Sequence, residues 1–166
     1  SAASAPDPEL HRTDFFLHIL SQHGIPSAGR TPDFFPSPEA EDEVRRLLAE
    51  TKRDLSAGYV MVHPGGNWDL KRWPEDYFAE WIRFFLESHP SRTVVLCGTA
   101  SEKNLSERIL KKTQHERLVS FCGRTSLDAL ALLLRGAEFL LSNDSGPIHL
   151  AASQKTPIVG LYGPTS

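Results

Sequence analysis

GYVMVHPGGNWDLKRWPEDYFAEWIRFFLESHPSRTVVLCG, residues 58–98, holds an apolar run, a glycine turn, a helical stretch and a second apolar run. Two short aliphatic strands joined by a helix imply parallel pairing, because parallel neighbours need a crossover and the crossover is normally a right-handed helix. The same alternation continues to the end of the chain. Strands are predicted at 59–63, 93–97, 118–121, 139–142 and 157–162, with helices at 74–88, 101–113, 126–135 and 146–153 between them. The pattern predicts an α/β fold with a Rossmann-like doubly wound parallel sheet.

Toward the start, Phe15, Phe16, Ile19 and Leu20 recur at helical spacing within 10–23, and Gly24 supplies a stop. TPDFFPSPEA reads as a linker. Ser37 is placed to cap a second helix, with Pro38 in its first position and Val44, Leu47 and Leu48 along it, and 52–57 reads as a loop. Three segments are expected: a tail over 1–9, a helical lead-in and linker over 10–57, and a binding domain over 58–166. The chain opens SAASAPDPE, has Met61 as its only methionine and stops at GPTS, as expected of a piece of a longer protein.

At 166 residues and 40 % apolar composition the chain can bury a single core, and a net charge of −3 supplies no footprint for nucleic acid. No apolar stretch reaches the length of a membrane span, and a cytoplasmic location is expected. Cys97 and Cys122 form no C-x-x-C pair and read as reduced core thiols. The G-x-S-x-G elbow, the phosphate loop G-x-x-x-x-G-K-[ST] and the G-x-G-x-x-G fingerprint are missing. No metal or resident cofactor is expected.

Ligands of doubly wound sheets sit at the carboxyl ends of the strands, so the informative turns are HPGGN, CGTASE, FCGRTS, SNDSG and YGPTS. Gly65 and Gly66 suit either a diphosphate cradled by backbone amides or a plain strand-to-helix turn. Lys71 stands just ahead of Pro74, near the positive end of a helix, where a cation is unfavourable for the helix alone and useful beside a diphosphate. Asp144 or Ser145 can cap a helix that Gly146 and Pro147 begin. A carboxylate repels phosphate, so Asp144 suits sugar hydroxyls. His149 reaches a phosphate oxygen or supports the turn. Glu102 accepts from ribose hydroxyls or stabilises its own helix start. Arg124, Thr125, Ser126 and Leu127 line a base pocket, with Ser126 equally readable as a plain N-cap.

HPGGNWDLKRWPEDYFAEW, CGTASE, FCGRTSLDALALLLRGAEFLLSNDSGPIHLAA and TPIVGLYGPTS together resemble the ADP-heptose:lipopolysaccharide heptosyltransferases, glycosyltransferases of the GT-B class. The resemblance spans residues 59–165. It implies the nucleotide-sugar donor half of a GT-B fold, with ADP-heptose as substrate and the lipopolysaccharide inner core as acceptor through a further amino-terminal domain. By that analogy Gly65, Gly66, Ser145 and Gly146 hold the diphosphate, Lys71 offsets charge on the departing ADP, and Asp144 contacts the sugar. Glu102 then meets the ribose, Thr125 and its neighbours the base, and His149 supports the phosphate. The general base is expected in the amino-terminal domain, so the chain alone is expected to transfer nothing. Peripheral association with the inner face of the bacterial inner membrane is the most that the analogy implies for a longer protein. A non-catalytic nucleotide-sugar module and an epimerase-like enzyme are the alternatives.

Overall fold

The computed structural model describes residues 11–52, 55–66, 68 and 72–163, which form two compact units, Ser1–Pro32 and Asp33–Ser166. In the first, helix α1 (Arg12–Gln22) is capped by the His11 ring accepting from the Thr13 amide, and Gly24 at φ +74° follows its end. Phe16 and Leu20 lie on exposed positions of this helix, and Arg30 pairs with Asp14.

In the second unit, α2 (Glu39–Thr51) precedes a strict alternation of strand and helix. The order is β1 (Tyr59–His63), α3 (Glu75–Ser88), β2 (Thr93–Leu96), a 3-10 turn (Ala100–Glu102), α4 (Lys103–Thr113), β3 (Leu118–Ser120), α5 (Leu127–Gly136), β4 (Leu140–Asn143), α6 (Gly146–Ser153) and β5 (Ile158–Leu161). All four strand pairings are parallel, in the order β3-β2-β1-β4-β5. The winding therefore reverses between β1 and β4. That junction is the topological switch point, where ligands of such sheets bind.

Residues alternate across the sheet with period two, and each face builds its own core. Val60, Val62, Val94 and Leu96 pack against Phe78, Ile82 and Leu86 of α3 and Ile109 of α4. Met61, Val95, Val119 and Leu140 pack on the opposite side with Leu47 of α2, Leu133 and Leu134 of α5 and Ala151 of α6. The helix α2, part of the lead-in by sequence, thus shares a core with α5. Several helix starts differ from the sequence reading by a residue or two, α5 among them at Leu127 in place of 126. Pro38 and Pro74 are the cap residues of α2 and α3, so each helix begins one residue later than drawn. Ser37 caps nothing and donates its amide to Asp128 instead. The helix expected over 101–113 opens as a 3-10 turn, because Thr99 and Glu102 close a capping box that tightens the first turn.

Candidate donor-binding cleft at the switch point

β1 and β4 are apolar strands that each end in a buried polar residue, His63 and Asn143. Beyond them lies a cleft of about 450 Å³, lined by His63 and Gly66, by Gly98, Thr99 and Glu102 after β2, by Thr125, Ser126, Leu127 and Leu130 at the start of α5, and by Ser145, Gly146, Pro147 and Leu150 of α6. Its lining mixes two chemistries: His63, Thr99, Glu102, Thr125, Ser126 and Ser145 are polar, and Leu127, Leu130, Pro147 and Leu150 are apolar. A second hollow, about 600 Å³, is lined by residues of α2 alone, between Glu39 and Ala49.

Glu102 is the anion around which the polar groups of the cleft gather. One carboxylate oxygen accepts from the Gly66 amide at 3.0 Å and lies 3.4 Å from His63 Nε2. The other accepts from the Thr99 amide at 2.7 Å and the Thr99 hydroxyl at 2.8 Å. The hydrogen bond from His63, opposed by burial and reinforced by Thr99, holds its carboxyl down to about 2. Two glycines make room for it. A Cβ on Gly65 would stand 1.7 Å from Glu102 Oε1, and one on Gly98 would stand 2.9 Å from Oε2. The amide of Gly66, expected to face a diphosphate, thus faces a carboxylate of the chain itself, and the glycine pair serves Glu102 packing as well as the turn.

His63, 3 % exposed, joins this carboxylate to the start of α6. Its Nδ1 lies 3.0 Å from Ser145 Oγ and 3.4 Å from Ser142 Oγ. Ser145 is the cap residue of α6, yet its hydroxyl bonds no α6 amide. In the first turn of α6 Pro147 has no N–H and the Ile148 amide donates to the Ser145 carbonyl at 3.1 Å, while Gly146, with nothing within 4 Å of a Cβ position, leaves room for a ligand to approach that backbone. Gly146 is the first helical residue and Pro147 the second, in a helix with the bounds read from the sequence.

Of the other residues singled out by sequence, Thr125, Ser126 and Leu127 line the cleft, and Leu127 is 57 % exposed there. Ser126 also caps α5, accepting from the Ala129 amide, while its own amide and hydroxyl donate to Glu43 of α2. Arg124 does not line the cleft: its guanidinium pairs with Glu50 on α2, which pulls it to the outer side of the turn. His149 is exposed on α6 and is not among the residues that line the cleft. Asp144, half-buried, ties its amide to the Leu161 carbonyl at 3.1 Å and is likewise outside the lining. Lys71 lies outside the described residues. Sequence reasoning missed His63, Asn143 and Thr99. The available signal was a polar residue closing an apolar strand, which is costly unless it is bonded.

Among the described residues no cluster of three His, Cys, Asp or Glu side chains is placed to hold a metal, and no helix is long and apolar enough to cross a membrane. Cys97 and Cys122 are buried, and burial raises both thiols above the ordinary range.

A five-stranded parallel sheet flanked by helices, with a cleft at its switch point, defines a Rossmann-like domain of the GT-B kind. Residues 23–166 match the model of glycosyltransferase family 9 (heptosyltransferase), and the chain belongs to that family. It is 33 % identical over 99 residues to lipopolysaccharide heptosyltransferase 2 of Escherichia coli K12, covering 58 % of this chain and 28 % of that protein. The crystal structure of a family 9 glycosyl transferase from Veillonella parvula superposes with a TM-score of 0.85 at 22 % identity, over 98 % of this chain and 46 % of that one. The structure of E. coli ADP-heptose lps heptosyltransferase II gives 0.69 at 25 %, over 86 % and 43 %. The chain thus spans less than half the length of these relatives.

Proposed function

We propose that this chain is the donor-binding half of a glycosyltransferase that moves heptose from ADP-heptose to the lipopolysaccharide inner core. The observation that carries the reading is the cleft of mixed polar and apolar lining at the switch point, in a chain of the heptosyltransferase family. One relative is described as an ADP-heptose heptosyltransferase, and an adenine nucleotide suits such a cleft. The apolar side chains Leu127, Leu130 and Leu150 take a planar base, and Thr125 and Ser126 offer hydroxyls next to them in sequence. Glu102, ionised across the physiological range, accepts from ribose hydroxyls. The N–H groups that open α6 at Ser145 and Gly146 meet the diphosphate, where the helix dipole favours negative charge. Lys71 offsets charge on the departing ADP, and Asp144 contacts the sugar.

Inverting transfer needs a base that takes the acceptor proton. A carboxylate at about 2 is too weak for that, and both ring nitrogens of His63 face partners within the protein. The base therefore comes from another part of the whole enzyme, and with it the acceptor site; the chain by itself binds donor and does not transfer. Calorimetry with ADP, UDP and GDP tests the reading. ADP should bind and Lys71→Ala should weaken it about tenfold or more. Absence of heat with every diphosphate, or heptosyl transfer by the isolated chain, would overturn it.

A further inference from the structure

Asn143 closes β4 in the middle of the sheet and is 1 % exposed. Its side-chain Oδ1 accepts from the Trp73 amide at 3.0 Å, and its Nδ2 donates to the carbonyls of Pro64 at 2.8 Å and Gly65 at 3.0 Å. All three partners belong to the connection between β1 and α3. Two stand just after β1 and one just before α3, and none lies in a helix or strand. One carboxamide thus ties both ends of the same loop to the strand across the switch point. The backbone carbonyl of Asn143 also accepts from the Ser142 and Ser145 hydroxyls, at 2.7 and 2.9 Å, so the same residue meets the start of α6.

We propose that Asn143 is a positioning residue that sets the β1–α3 loop against the start of α6 and thereby shapes the polar lining of the cleft at His63, Gly66 and Ser145. The link to ligand rests on the donor-site reading above. Among side chains of this size only an amide supplies an acceptor and two donors at once. Aspartate keeps the acceptor for Trp73 and turns an oxygen onto two carbonyls. Serine is too short to span 64 and 73 together. Arg72 cooperates at the surface, donating through Nε to the Gly66 carbonyl at 2.8 Å, and the Trp73 ring packs on Phe78 with centroids 5.0 Å apart.

Three measurements decide it. Hydrogen exchange of the Trp73 amide in the unaltered chain should be slowed about tenfold or more relative to exposed loop amides, since its acceptor is buried. In Asn143→Asp, trypsin should cut after Arg72 about tenfold faster, and ADP should bind about tenfold more weakly, while the melting curve stays cooperative. A Trp73 amide that exchanges like an exposed one overturns the proposal, and so does a folded Asn143→Asp protein with unchanged cleavage and unchanged ADP affinity. If that variant does not fold, the exchange of the unaltered chain still decides. If the unaltered chain binds no ADP, the donor-site reading fails, whereas exchange and cleavage still rule for or against the clamp.

Discussion

Glu102 receives bonds from two backbone amides and a hydroxyl and touches an imidazole, which makes it the most heavily committed carboxylate of the cleft. Its carboxyl moves from 4.5 to about 2, so the folded state binds a proton less readily than the unfolded chain. The resulting stability is fully present above the unfolded value and disappears as pH falls from about 4.5 toward 2. Glu102→Gln should therefore cost about 2 kcal/mol at pH 7, a value reduced for partial solvent screening. Urea titrations should show the gap between variant and parent closing below pH 4.5. A gap independent of pH would mean that the carboxylate is not held this way. The residue's two sequence readings, ribose acceptor and helix-start anion, are less separate than they look, since a carboxylate fixed by the Thr99 capping box also lines the cleft.

Turns, more than helices or strands, carry the site. Gly65 sits where a Cβ would overlap Glu102, so Gly65→Ala should lose about 1–3 kcal/mol and the loss should shrink when Glu102 is also replaced by alanine. A double-mutant cycle measured by denaturation checks this, and strict additivity would sink it. Gly123 at φ +70° has Ala100 Cα 2.8 Å from its Cβ position, so the turns after β2 and β3 interlock through backbone. At the start of α5, Ser126→Ala removes the cap and the hydroxyl bond to Glu43 while the backbone bond from residue 126 to Glu43 remains, with an expected loss of about 1 kcal/mol by the same assay. The N-cap reading and the cleft reading of Ser126 thus describe one residue, because the cap residue of a helix at a strand end faces the ligand side.

For the molecule as a whole, two buried thiols offer a global probe. Cys97 and Cys122 lie under the strand ends, and burial raises both above the ordinary thiol range. Ellman's reagent should label them only at the rate of global opening, and ADP at about a hundred times its dissociation constant should slow labelling about a hundredfold, corresponding to about 2.7 kcal/mol. Rapid labelling of the folded chain would refute this. Architecture was legible at this scale because periodicity is local: five apolar runs separated by helical stretches admit few topologies, and parallel pairing follows from the crossovers. Placement of side chains around the cleft was legible only in part. Gly66, Glu102, Thr125, Leu127, Ser145 and Gly146 follow strands directly and converge, whereas Arg124 and His149 obey the same rule of position and stand outside the lining, Arg124 paired with Glu50.

Sequence by itself determined the order of elements, the parallel sheet, the family resemblance and the sheet edge at which a ligand is met, since each depends on neighbours in the chain. Tertiary structure alone decided that Glu102 fills the glycine turn, that His63 links it to Ser145 and that Asn143 holds both ends of one loop. Those contacts join residues 36 to 82 positions apart, and no local pattern encodes which distant polar groups a buried side chain must satisfy.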